Sequence, residues 1–208
     1  MHNFRCCFVF LIFSLFSLGS VGNLSAASVD FEERTKCEKF VQELGSRAIE
    51  IINIPGIPDD EVTDKFAEII TSNFATDSLA RFSLGKHYRT LSNAQKEAFI
   101  KCFIKMLVKF YASNFKEYKS AKFTVVVVRK KKEGQYFVET KVSIGGKKDV
   151  SIIWEVRCKN GRCKIYDAAT DNISMKRLQQ AEISGSISEN GLNKFMTEFE
   201  NKYKEINR

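Results

Sequence analysis

The chain has 208 residues, room for one domain with a real hydrophobic core and a short targeting segment, and too few for a multidomain assembly. Hydrophobic residues make up 44% of it, with only 11 Gly and 2 Pro, which excludes disorder, collagen-like repeats and low-complexity linkers. The excess of 33 Lys and Arg over 25 Asp and Glu, a net +8, suits an acidic counterpart (nucleic acid, an anionic membrane surface or an acidic protein) without choosing among them.

Residues 1–27 carry Arg5 as their only formal side-chain charge, then the apolar run Phe8 to Leu18, then Ser25-Ala26-Ala27, a small-x-small pattern. This combination predicts a cleaved Sec-type signal peptide over 1–27 and a single mature domain over 28–208. The apolar run is shorter than the roughly 20 residues a bilayer span needs and nothing later exceeds it, so a soluble exported protein is expected. Cys6 and Cys7 precede the apolar run, so neither holds a lipoprotein cleavage position. Removing the segment takes one Arg and no acid, so the basic character belongs to the mature domain.

Residues 30–53 place Cys37, Phe40, Val41, Leu44, Ala48, Ile51 and Ile52 at three- and four-residue steps behind Asp30 as a cap, the pattern of an amphipathic helix. Ile54-Pro55-Gly56-Ile57-Pro58 breaks it, and a second helix follows from Asp59 or Asp60 with Val62, Phe66, Ile69, Ile70 and Phe74 on one stripe. A third runs from Asp77 to Leu84 and stops at Gly85. Ser92-Asn93-Ala94-Gln95 is a capping box opening a long helix to about Tyr118. Its polar stripe (Glu97, Lys101, Lys105, Lys109) is narrow and its apolar arc wide, so it needs cover on more than one side.

From Ala121 the period becomes that of strands. Phe123 to Arg129, Gln135 to Ile144, Val150 to Val156 and Lys164 to Ala168 read as a four-stranded antiparallel meander, with turns near Lys132-Glu133-Gly134, Gly145-Gly146 and Asn160-Gly161. Ile173 to about Ser184 and Leu192 to Ile206 read as two closing helices. Helices first and a sheet after, in one unit, predict an α+β fold with one continuous apolar sheet face.

Four of the six Cys lie in the mature domain, an even number in a chain bound for an oxidising compartment, so disulfides are favoured over metal or catalysis. Cys158 and Cys163 flank the Asn160-Gly161 turn as a non-hydrogen-bonded pair about 4.5 Å apart at Cα, within reach of a disulfide. A zinc site needs two more ligands nearby, and His87 is the only mature His. Cys37 and Cys102 both sit on apolar helical faces and either pair or stay as buried thiols.

Catalytic chemistry has little support. No Walker loop, dinucleotide-binding glycine pattern, HExxH or EF-hand loop is present, and no motif surrounds His87. In a meander the first and third turns share one end, which gathers Arg129, Lys130, Lys131, Lys132, Lys159, Arg162 and Lys164 into one cationic end. That end either keeps strand edges soluble or docks an acidic partner or membrane. It lacks aromatics interleaved with the cations, and an exported protein rarely meets nucleic acid, so no nucleic-acid partner is expected.

The run Phe74 to Arg89, with Leu84-Gly85-Lys86-His87-Tyr88-Arg89 inside it, then Ser92 to Phe99, Leu107 to Tyr111, Ile165-Tyr166-Asp167 and Ile173-Ser174, resembles the MlaC family in order and spacing over most of the mature chain. Tyr88 stands where that family usually has Trp, Asn172 where Gly precedes Ile-Ser, Cys163 near the usual strand Trp, and Gln179-Gln180 where Tyr-Arg is common. The resemblance implies a periplasmic phospholipid carrier without a catalytic step or cofactor. Its phospholipid is cargo, exchanged between an outer-membrane lipoprotein complex and the substrate-binding component of an inner-membrane ABC transporter, and the shuttling maintains outer-membrane lipid asymmetry.

The physics of that task is demanding. Exposing two acyl chains, roughly 30 methylenes at about 0.8 kcal/mol each, to water costs on the order of 24 kcal/mol. A carrier must therefore offer an equally apolar cavity, and the sheet face together with the long helix are the expected walls. On this reading Phe103, Met106, Leu107, Phe110 and Tyr111 of the helix and Val125, Val127, Val138, Val142, Ile152 and Trp154 of the strands line the pocket, with strand parity open to inversion by a one-residue slip. The competing reading is a non-lipid exported interaction module with a filled core, stapled by Cys158–Cys163.

Overall fold

The computed structural model describes residues 22–159 and 161–204, side chains of 22–28, 114–116 and 204 apart. The apolar run and most of the expected signal peptide lie outside the described residues. Among the described residues six α-helices, α1 (Gly22–Asn53), α2 (Asp59–Asn73), α3 (Thr76–Leu84), α4 (Asn93–Phe115), α5 (Met175–Asn190) and α6 (Leu192–Lys204), accompany five strands, β1 (Lys122–Lys132), β2 (Gln135–Ser143), β3 (Val150–Lys159), β4 (Arg162–Thr170) and β5 (Ile173–Ser174). The sheet is antiparallel throughout in the order β1-β2-β3-β4-β5, a meander. The α+β architecture is the expected one, with a short fifth strand added.

Local chemistry sets most boundaries. Ser92 N donates to Gln95 Oε1 and Gln95 N to Ser92 Oγ, the reciprocal bonds of the capping box that opens α4. Ser174 Oγ caps α5 by accepting from Arg177 N, which leaves Ile173 and Ser174 extended as β5 rather than helical. Asp30 is no cap, because α1 already runs through it from Gly22; its carboxylate instead meets Lys130 Nζ at 2.7 Å. The last turn expected of the long helix is a separate 3₁₀ turn, Lys116–Tyr118.

α1 lies across the inner face of β1 to β3, and α2 packs against α4. The end of α2 joins the sheet, as Ala75 N donates to Ile165 O at 2.9 Å. On the other side of α4, α6 supplies a second packing layer. Fully buried Val41, Phe66, Ile70, Leu84, Phe99, Phe103, Leu107, Val138 and Val156 make this one continuous core.

Candidate functional site

A cavity of about 300 Å³ opens between α1, α2, the C-terminal end of α4 and the inner sheet face. α1 contributes Val41, Leu44, Gly45, Ala48 and Ile49, one helical stripe at three- and four-residue steps. α2 and the residue after it contribute Phe66, Ile69, Ile70 and Phe74, and α4 contributes Phe110 and Tyr111. The sheet wall holds Phe123, Val142, Val150, Ile152, Trp154, Ala168, Ala169 and Thr170, with Tyr118 and Met175 completing the lining. The hollow has a steric cause: Ala48 faces it from the helix and Ala168, on the same sheet face as Trp154, from the sheet, where larger side chains would fill the gap. At Gly45 a β-carbon would run into the ring of Phe123, so only glycine lets α1 come this close to β1.

The wall is chemically quiet. Trp154 Nε1 donates to Thr140 Oγ1 at 2.8 Å, and Thr140 Oγ1 donates to Ile152 O at 3.2 Å, so the indole N–H is satisfied within the sheet. Burial pushes the Tyr111 phenol up to about 12, with the charge of Asp167 adding to the effect, so it stays neutral. Among the described residues no buried side-chain nitrogen or oxygen lacks a partner. Such a surface suits an apolar ligand, from which it excludes water. Phe110, 51% exposed while lining the cavity, stands where the hollow meets solvent.

Of the eleven side chains expected to line a pocket, Phe110, Tyr111, Val142, Ile152 and Trp154 do so. Phe103, Leu107 and Val138 lie in the solid core, and Met106 and Val125 pack half-buried against it. Val127 is on the opposite sheet face: a register shift between Val125 and Val127 inverts the parity of β1, so that Val127 stands opposite Glu139. The sequence pattern does not point to the contributions of α1 and α2, although a small residue on an otherwise large apolar stripe, Ala48, marks the gap.

The cationic end forms as the meander requires, with Cys158 N donating to Gly134 O at 2.9 Å between the first and third turns. Much of its charge is locally matched. Arg129 pairs with Glu139 at 3.0 Å, Lys130 with Asp30 and Glu133, and Lys131 with Glu155 at 3.6 Å, while Lys164 Nζ donates to Ser72 O at 2.6 Å at the end of α2. Lys132, Lys159 and Arg162 take part in none of these pairs. On the outer sheet face the buried Glu155 also accepts from Arg157 at 2.7 Å and Lys176 at 3.0 Å. Burial alone would raise its pKa, but those hydrogen bonds and the Lys176 and Lys131 charges bring it down to about 2.

Cys158 and Cys163 are joined in a disulfide, with Cα atoms 4.1 Å apart in the register expected of the hairpin. Cys37 and Cys102 are free and buried, which settles the alternative left open by the sequence.

The fold and cavity together define a class: an antiparallel meander and covering helices wrapped round an apolar hollow. More particularly, the family profile described as MlaC protein matches residues 42–201, and the chain belongs to the MlaC family. Six solved chains are similar in structure. Among them is a phospholipid-binding protein from Ralstonia solanacearum, solved in complex with a phospholipid, with a TM-score of 0.69 and 15% identity over 81% of this chain and 98% of that one. No curated protein matches in sequence.

Proposed function

We propose that this protein is a non-enzymatic phospholipid carrier whose acyl chains occupy the cavity between α1, α2, α4 and the sheet. The single observation that carries the reading is the lining: a hollow of about 300 Å³ whose wall is almost wholly apolar and whose one indole N–H, that of Trp154, is already bonded to Thr140. That volume is at the low end of ligand pockets, which span roughly 300–1,000 Å³. Two acyl chains therefore widen the cavity by parting α1 from the sheet, and the headgroup stays at the mouth beside Phe110. Family membership and a similarly folded protein holding a phospholipid support the reading. A filled interior, which the interaction-module reading requires, is not what the fold offers.

The finer proposal is that the carrier works in the periplasm after removal of residues 1–27, passing lipid between an outer-membrane lipoprotein complex and an inner-membrane ABC transporter and so maintaining outer-membrane lipid asymmetry. Lys132, Lys159 and Arg162, which form no ion pair among the described residues, would steer docking, and their reversal to Glu slows lipid transfer most at low salt. The test of the central claim is native mass spectrometry of gently purified protein followed by incubation with phospholipid vesicles. Retained or acquired phospholipid, about one molecule per chain, is expected. Protein that arrives free of lipid and takes up none from vesicles overturns the assignment.

A further inference from the structure

Cys37, on α1, places its Sγ 2.9 Å from Cys158 Sγ, and the sulfurs of Cys37, Cys158 and Cys163 all lie within 4.8 Å of one another. Cys37 is fully buried, so no solvent molecule separates it from the disulfide. Thiol–disulfide exchange requires a thiolate close to a disulfide sulfur, and these are the groups in contact.

We propose that Cys37, Cys158 and Cys163 form an internal thiol–disulfide exchange site. Cys37 Sγ loses its proton and attacks Cys158 Sγ; the Cys37–Cys158 bond forms, the Cys158–Cys163 bond breaks, and Cys163 leaves as a thiolate that takes up the proton. Cys37 is oxidised and Cys163 reduced by the same electron pair, so no outside oxidant or reductant takes part. The exchange replaces a link across five positions by one across 121, from the hairpin to α1. Cys37 lies one helical turn before Val41, and Cys158 lies on the same face of β3 as Trp154, both cavity-lining residues. The second isomer is therefore a covalent clamp between two walls of the cavity, and the first leaves α1 free to part from the sheet. Burial holds the Cys37 thiol up to about 12, aided by the charge of Glu33 and opposed by that of Lys36. Thiolate is scarce at neutral pH, so exchange is slow.

Trapping distinguishes the two isomers, because Cys163 is partly exposed whereas Cys37 and Cys102 are buried. Folded, oxidised protein is held with N-ethylmaleimide at pH 8, then acid-quenched, digested without reduction and mapped by mass spectrometry. Cys163 is expected to acquire the label while a Cys37–Cys158 cross-linked peptide grows in step and Cys102 stays unmodified. Labelling of Cys163 should be at least tenfold slower in Cys37→Ala. Equal Cys163 labelling in the two proteins, no Cys163 labelling in either, or concurrent modification of Cys102 overturns the proposal. As a second measurement, Cys163→Ser treated with glutathione disulfide should form the Cys37–Cys158 bond. A folded Cys163→Ser protein that keeps both thiols alkylatable after denaturation also overturns it, and neither readout depends on whether lipid is bound.

Discussion

The two halves of α4 sit in opposite surroundings. Toward its start, Phe99 stacks on Phe199 with ring centroids 5.1 Å apart and lies 5.9 Å from Phe103, while Phe195, Phe199 and Tyr203 continue the stack along α6 at 5.3 and 4.9 Å. Toward its end, Phe110 and Tyr111 face the cavity. Both halves are equally apolar in sequence. The facing residues decide which is solid: α6 offers rings at four-residue steps, whereas the walls across the hollow offer Ala48 of α1 and Ala168 of β4, too small to close the gap. Hydrophobicity specifies burial, but the sizes of facing side chains specify whether the buried space is filled.

The largest effect belongs to the solid half. Phe99→Ala removes a ring touched by three others and should lower unfolding free energy by about 3–5 kcal/mol in a denaturant titration, while the folded fraction keeps its ability to take up lipid. A loss of lipid uptake by the folded variant would break the separation of the halves.

The clasp on the outer sheet face should come next. Glu155→Gln is expected to cost about 2–3 kcal/mol near neutral pH, less than the roughly 3–5 kcal/mol of a fully buried pair because Arg157 and Lys131 keep contact with water. The sign of the pH dependence follows from its lowered pKa. The folded protein holds Glu155 at about 2 against an ordinary value of 4.5, so its contribution is complete above about pH 5 and disappears as the pH falls from 4.5 toward 2. The substitution should therefore flatten that part of the acid limb when stability is followed by thermal melts across pH. An acid limb of unchanged slope would show that Glu155 is not what the outer-face cations hold in place.

A smaller effect is expected inside the hollow. Thr140→Val leaves the Trp154 indole N–H without its acceptor beside the apolar wall and should cost about 1–2 kcal/mol. Trp154 fluorescence should shift, since the freed N–H then seeks water that enters the cavity.

What could be read from the sequence was local. The capping box at Ser92, the hairpin that brings Cys158 to Cys163 and the alternation of β2 and β3 each depend on residues within a few positions of one another, and each appears in the structure as its pattern predicts. The walls of the hollow were harder to read because they are tertiary. Nothing near Phe99 in the chain says that α6 returns to stack on it, and nothing near Val127 announces the irregularity that turns it outward. The contact of Cys37 with Cys158 joins residues 121 positions apart and depends on how α1 crosses the sheet. The family resemblance supplied the notion of a hollow, but only the crossing of α1 over β1 to β3 determines which residues form it.

The smallest effect on stability should accompany the sharpest test of the hollow. Added methylenes in a filled core cost about 1–3 kcal/mol through strain, so Ala80→Leu, at a fully buried site of α3 away from the cavity, should lose that much. Ala168→Leu adds the same groups where they have open space and apolar neighbours, and its unfolding free energy should change by less than about 1 kcal/mol. The inserted side chain occupies room the cargo needs, so bound phospholipid measured by native mass spectrometry should fall at least several-fold although the protein is as stable as before. If Ala168→Leu instead unfolds as readily as Ala80→Leu, the space opposite α1 is filled in solution, and the contrast between a solid and a hollow half disappears.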